Sequence, residues 1–329
     1  MTILITGATS AVGYFIAKRV VEEENDEKIK ILIRSKKPPE HLAKVGLDFV
    51  KGDLTNKKSL VKALQGVNTI YNAAGEAREN IPAKLYYDVN HIGTRNLLES
   101  FVENKGERFL HVSTVGIYGY KLPSFPITED YPKKSDHPYH ESKWLAEQEL
   151  FRFSDDYDFF ATAVRPPYIV GPRDRQMAPK LFDFLLKDKK IPLIGNGKAT
   201  LSFVHHEDVA DALIKCGKTP AANREAFNIV GGTITARELF ESIGDICGKV
   251  PNFMRINYGL AYTIGLVSEL AAKISKSKPK LTRRRANQFS RSRQYDISKI
   301  ENIASFKPKY NVKEALEDAY NWMKEVKLV

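Results

Sequence analysis

Residues 2–20, T-I-L-I-T-G-A-T-S-A-V-G-Y-F-I-A-K-R-V, constrain the fold of this 329-residue chain more than any other stretch. Ile3, Leu4 and Ile5 form the short apolar run of a strand buried on both faces, and Thr6-Gly7 ends it. From Val12 onward Phe15, Ile16 and Val20 recur at helical spacing. A strand, a small-residue turn and a helix therefore follow in that order.

That order matters because a helix N-terminus offers unpaired backbone N–H groups and the positive end of the helix dipole, which suit a pyrophosphate. Gly7 allows the tight turn and Gly13 lets the helix lie close to the strands, with Ser10, Ala11 and Val12 along the phosphate path. Where a dinucleotide fingerprint has its middle glycine, this chain has Ser10. A serine Cβ narrows the approach to the phosphates, and its hydroxyl can donate to one of them. The next strand, Ile29 to Ile33, ends in Arg34-Ser35-Lys36-Lys37. An acid there would hold the ribose 2′-OH of NAD, whereas an arginine pairs with the 2′-phosphate of NADP. Arg34 thus points to NADP, with NAD possible; a solvated basic turn is the plain alternative.

With 43% hydrophobic residues the chain can bury a large core, and its length suits one large or two smaller domains. No apolar run reaches transmembrane length and no secretory pattern precedes the first strand, so an intracellular, cytoplasmic protein is expected. Cys216 and Cys247 have no metal-ligand spacing and imply no disulfide framework. His205-His206 lacks further ligands nearby in sequence, so no metal is expected. The net charge of +11 is compatible with nucleic acid, an anionic membrane or an anionic cofactor and substrate, and no nucleic-acid-binding motif selects the first.

After Arg34, residues 47–51 read as a third strand ending in G-D-L. Asp53 stands where a side chain would accept from an adenine amino group, with Leu54 beside the ring, although an Asp after a strand is commonly a turn residue. A fourth strand, 67–71, runs into N-A-A-G, where Ala73, Ala74 and Gly75 are small enough for a cofactor to pass over. A helix over 88–103 carries N-H-I-G-T, with Asn90 facing the same region. A fifth strand, 109–112, leads to Ser113-Thr114. This alternation argues for a parallel sheet wound by helices on both faces, a doubly wound α/β fold.

Tyr139 and Lys143 then stand four apart at the start of a helix reaching about Phe153, so both face one site. A free tyrosine, with a pKa of about 10, is a poor base at neutral pH. A nearby ammonium lowers that value and makes proton exchange with a hydroxyl or carbonyl feasible, while Thr114 holds the same oxygen. Farther on, 177–186, 235–247 and 258–274 read as helices, 193–197 as a turn and 227–232 as a strand and turn.

Together with R-P-P-Y-I-V-G-P at 165–172 and F-V-H-H-E-D-V-A at 203–210, these motifs make the sequence resemble the extended short-chain dehydrogenase/reductase superfamily over nearly its whole length. The resemblance implies a Rossmann domain over 1–172, with 203–230 returning to it. A smaller, mainly helical substrate domain would be built from 173–202 and 231–329. It makes Tyr139 the acid/base, Lys143 its activator and ribose ligand, and Thr114 the substrate-oxygen partner, and it sets Pro167 by the nicotinamide. It also implies a homodimer through the helices of Asn90 and Tyr139, where Phe101, Trp144 and Leu145 are available for core or interface.

Within the superfamily, nucleotide-sugar enzymes commonly carry an arginine before the segment that here reads S-F-V-H, where this chain has Leu201, and an R-x-G-D whose G-D is missing from residues 291–299. R-P-P-Y-I-V-G-P-R-D, the apolar segment from Leu260 and the ending Y-D-I-S-K instead resemble the branch of 3β-hydroxysteroid dehydrogenases and dihydroflavonol reductases. That resemblance implies hydride transfer between NADP and a hydroxyl or ketone carbon of a fairly apolar, sterol-, terpenoid- or flavonoid-like substrate. The alternatives are a nucleotide-sugar epimerase or dehydratase and, from another class, a non-catalytic NADP-binding regulator. Finally, Leu260 to Ile274 is apolar and helix-patterned, and Lys273, Lys276, Lys278, Lys280 and Arg283 to Arg285 follow closely. This is the composition of a pocket wall or of a peripheral membrane contact.

Overall fold

The computed structural model describes the chain apart from residues 25–26, 36, 39–41, 43–46, 80, 124 and 276–281 and the side chains of Lys273, Arg285 and Gln288. Seven parallel strands form the main sheet: β1 (Thr2–Thr6), β2 (Lys28–Ile33), β3 (Asp48–Lys51), β4 (Thr69–Asn72), β5 (Arg108–Val112), β6 (Phe160–Arg165) and β10 (Glu225–Asn228). Their spatial order is β10-β6-β5-β4-β1-β2-β3. The order reverses between β1 and β4, and this switch point is where a doubly wound sheet opens a crevice at the carboxyl ends of its strands. Ile3, Leu4 and Ile5 are buried on both faces, as their apolar run requires.

One face of the sheet packs on the helices Ala11–Glu23 and His206–Lys218, through Phe15, Ile16, Val20, Val209 and Leu213. The other packs on Gly93–Glu103 and Pro138–Tyr157, through Leu97, Leu98, Phe101 and Leu150. Phe101 is fully buried and meets Phe109 and Phe159 edge-on, so it belongs to the core and is unavailable to a subunit interface. Trp144 and Leu145 are half-buried.

The helix expected over 88–103 is regular only from Gly93; Tyr87–Ile92 forms a π-turn, an irregularity that often marks functional sites. The expected turn at 193–197 begins inside a strand, β8 (Ile191–Ile194), which pairs in parallel with β12 (Phe253–Ile256). β7 (Tyr168–Val170), β9 (Thr200–His205) and β11 (Gly232–Thr235) make a separate three-stranded sheet. From 203–230, therefore, the helix His206–Lys218 and β10 rejoin the main sheet while β9 does not. From 231–329, the helix Ser298–Ala304 packs on the main sheet through Ile300 and Ala304. A third core, with Phe182, Leu185, Leu239, Phe240, Leu316 and Met323, joins the helices Ala178–Leu186, Ala236–Cys247 and Val312–Glu325.

Candidate active site

The strand-turn-helix at the N-terminus forms as its residues dictate. Gly7 has φ +72°, and a Cβ there would come within 2.5 Å of the Ala74 backbone nitrogen. A Cβ on Gly13 would come within 2.2 Å of the Gly7 carbonyl oxygen. Both glycines are thus imposed by sterics. Ser10 departs from expectation: its hydroxyl donates to the Gly7 carbonyl at 2.8 Å and accepts from the Gly13 N–H at 3.1 Å, so it ties the turn and caps the helix. What remains for a phosphate is the first-turn backbone at Ala11 and Val12, which lines the main cavity. Arg173, which the motif reading did not single out, reaches this end and stacks 4.1 Å from the Tyr14 ring centre.

Arg34 ends β2 on the exposed surface, with its charge in range of the Glu76 carboxylate. Lys36 lies outside the described residues. Asp53 serves a turn, accepting from the Thr55 N–H at 2.9 Å and its hydroxyl at 2.8 Å. Leu54 is buried in the core against Gly93. At the end of β4, Ala73 and Ala74 are half-buried and Gly75 is exposed. Asn90, on the π-turn, brackets this loop: it accepts from the Glu76 N–H at 2.6 Å and donates to the Glu76 carbonyl at 3.1 Å and to the Ser142 hydroxyl at 3.0 Å. A substitution at Asn90 would therefore loosen the loop after β4 from the Tyr139 helix.

The reactive end is carried by the helix Pro138–Tyr157, which starts on a His137 cap and a proline in its first turn. Tyr139 packs on Tyr86 and His140, with ring centres 5.9 and 5.4 Å away. Thr114 Oγ1 accepts from the Gly116 N–H at 3.1 Å, which leaves its proton for another oxygen. Thr114, Tyr139 and Pro167 all border the main cavity.

The expected lowering of the Tyr139 pKa is not found. Burial pushes it up to about 12, with the Tyr86 hydroxyl adding to the rise. Lys143 is buried and pushed down to about 8 by desolvation, which Glu147 one turn further on opposes. Its Nζ lies 3.4 Å from His111 Nε2. Behind His111, Nδ1 lies 3.1 Å from Asn72 Nδ2, and Asn72 Oδ1 accepts from Thr6 at 2.6 Å. Burial, then the Lys143 charge, keep the imidazole neutral. His111 escaped the sequence reading, although a histidine inside an otherwise apolar strand is an anomaly that invites a partner.

The cavity, about 1000 Å³, extends from Ser10 to Val12 past Tyr139 to a wall that includes Leu181, Phe184, Phe240, Met254 and Ile256. Arg173, Arg175, Arg284 and Arg293 also line it. The guanidinium carbons of Arg284 and Arg293 lie 5.6 and 5.3 Å from the centre of the Tyr120 ring, and Arg293 donates to the Tyr168 hydroxyl at 3.0 Å.

Comparison with known proteins identifies the family and the fold. Sterol-4-alpha-carboxylate 3-dehydrogenase, decarboxylating, of Bos taurus is 35% identical over 167 residues, which is 50% of this chain and 47% of that protein. The match thus spans about half of that relative's length. The enzyme of the same name from Candida albicans is 24% identical over 98% of each chain. N-acetyl-alpha-D-glucosaminyl-diphospho-ditrans,octacis-undecaprenol 4-epimerase of Escherichia coli O157:H7 is 27% identical over 81% of this chain and 80% of its own. The crystal structure of gox2253 superposes with a TM-score of 0.84 at 25% identity, over 99% of this chain and 98% of that one. The pattern described as NAD dependent epimerase/dehydratase family matches residues 3–230, and with its doubly wound sheet, glycine turn and Tyr-Lys pair the chain belongs to the NAD-dependent epimerase/dehydratase family of enzymes.

Proposed function

We propose that the protein is an NADP-linked oxidoreductase that interconverts a ketone and a hydroxyl on a fairly apolar substrate bearing an anionic group. The observation that carries this reading is the single cavity in which the phosphate turn, Thr114, Tyr139, a long apolar wall and four arginines meet. A sterol-like acid, of the kind named for the relative from Bos taurus, matches an apolar wall with guanidinium groups at one side.

In this reading the Ala11 and Val12 backbone and Arg173 hold the pyrophosphate, Arg34 pairs with a 2′-phosphate, and Lys143 and Asn90 fix the ribose side. Pro167 packs by the nicotinamide, which when bound supplies or accepts the hydride. Tyr139, protonated at neutral pH, gives its proton to the ketone oxygen, and Thr114 donates a second hydrogen bond to it. Trp144 and Leu145, half-buried on the Tyr139 helix, support a homodimer through that face.

The second reading, an epimerase or dehydratase of a nucleotide sugar by transient oxidation, draws on the same arginines, since a forked guanidinium also grips a diphosphate. Steady-state reduction of a hydrophobic 3-oxo acid by each cofactor tests the first reading. NADPH should be preferred over NADH by about tenfold or more, the value of one charge-assisted hydrogen bond, and Arg34→Asp should reverse the order. Equal use of both cofactors by the unaltered protein removes Arg34 from the argument.

A further inference from the structure

The helix Tyr258–Ser275 is built inside out. Its small residues face the protein: Ala261, Gly265 and Ala272 are buried, and a Cβ on Gly265 would come within 2.7 Å of the Arg283 backbone nitrogen. Its large apolar residues face away. Leu260, Ile264, Val267, Leu270 and Ile274 follow at spacings of four, three, three and four, which places them on one stripe, and they are 57%, 43%, 59%, 52% and 86% exposed. Isolated exposed apolar residues are ordinary, whereas a contiguous stripe needs a covering partner.

Charge says which partner. From Tyr258 to Arg291 the sequence has eight lysines and arginines against one acid, Glu269, so this segment supplies seven of the eleven net positive charges. Lys276, Lys278 and Lys280 lie outside the described residues; Arg283 is partly exposed and pairs with Glu269 at 2.8 Å. Arg284 lines the cavity and Arg283 is paired, so the remaining excess of lysine and arginine is what a second copy would repel and an anionic surface would neutralise. Among the described residues no helix is long and apolar enough to cross a membrane, which leaves a helix lying in the interface plane. Ala261, on the inner side of this helix, lines the cavity, so one element separates the cavity from the exposed stripe.

We propose that the Tyr258–Ser275 helix is a docking face for an anionic lipid bilayer, its Leu260-to-Ile274 stripe seated at the acyl boundary, with the basic sequence that follows the helix supplying the attraction to the headgroups. Docking stands independently of the reaction assigned above. The test is sedimentation of the full chain with vesicles of phosphatidylcholine alone or mixed with phosphatidylserine, at low and high salt. Pelleting is expected with the anionic vesicles at low salt, weakened by high salt. It should fall about tenfold or more in Val267→Glu/Leu270→Glu, with an unchanged melting temperature. Both positions are exposed; should that variant unfold, Val267→Ser/Leu270→Ser serves in its place. Protein left in the supernatant with anionic vesicles at low salt overturns the proposal, as does pelleting that is indifferent to the substitutions. A dimer in light scattering that these substitutions convert to a monomer also overturns it, because a second copy would then cover the stripe.

Discussion

Replacing Tyr139 by phenylalanine is expected to cost about two or more orders of magnitude in turnover while leaving cofactor affinity within about twofold. The substitution removes one oxygen and keeps the ring that packs between Tyr86 and His140. The phosphate contacts proposed at Ala11 and Val12 do not involve the phenol. The hydrogen bond proposed from Thr114 to the substrate oxygen is untouched by the change, so a residual rate should survive. Stopped-flow reduction and cofactor titration separate the two quantities. Undiminished turnover would show that another group moves the proton, and lost cofactor affinity would show that Tyr139 is chiefly a binding residue.

The second large effect is on stability. Glu147 and Arg165 are both buried; Arg165 Nε donates to Glu147 at 3.1 Å, and Arg165 Nη1 donates to the Tyr118 hydroxyl at 2.7 Å. Tyr118 in turn donates to Asn228 Oδ1 at 2.9 Å, so one network links the Tyr139 helix, β6 and β10. Removing one member of a buried pair leaves the other charge without its counterion, which costs about 3–5 kcal/mol. Glu147→Gln should lower the unfolding free energy by about that amount, read from urea melts. By contrast, the exposed pair of Lys84 and Asp88 contributes only about 0–1 kcal/mol, although its atoms are also close, at 2.6 Å. An unchanged urea midpoint in Glu147→Gln would mean that water reaches the guanidinium. The same change withdraws the carboxylate that opposes the desolvation of Lys143, so the lysine should lose its proton at a still lower pH.

Much of this site was legible because its signals are local. Ile3 to Ile5 form a strand wherever both faces are covered, and the two glycines of the turn answer to contacts within the same motif and with the adjacent strand. Tyr139 and Lys143 share a face because a helix repeats, and Glu147 completes that series one turn later, a step the motif reading did not take. What stayed hidden depends on residues distant in sequence. Ser10 spends its hydroxyl on its own turn, and Asp53 spends one oxygen on Thr55, neither of which residue type reveals. The π-turn that aims Asn90 follows from contacts with Glu76 and Ser142, 14 residues before it and 52 after it. The pKa of Tyr139 is decided by burial, because Lys143 turns its amine toward His111, a partner 32 residues away. Arg284 stood in a basic run beside the apolar helix and Arg293 in the incomplete R-x-G-D stretch, and only the fold brings both to the cavity.

The central claim, net hydride transfer to a ketone carbon, is tested most directly by following label from cofactor to product. The unaltered protein, given NADPH deuterated at the transferable position and a hydrophobic 3-oxo acid, should yield a hydroxy acid carrying one deuterium on the former ketone carbon, with NADP released in equal amount. A transient oxidation would instead invert a nucleotide sugar with no net loss of NADPH and with its hydrogen returned to the same molecule. Label found in the hydroxy acid supports the account; an unlabelled oxo acid beside an epimerised sugar would contradict it.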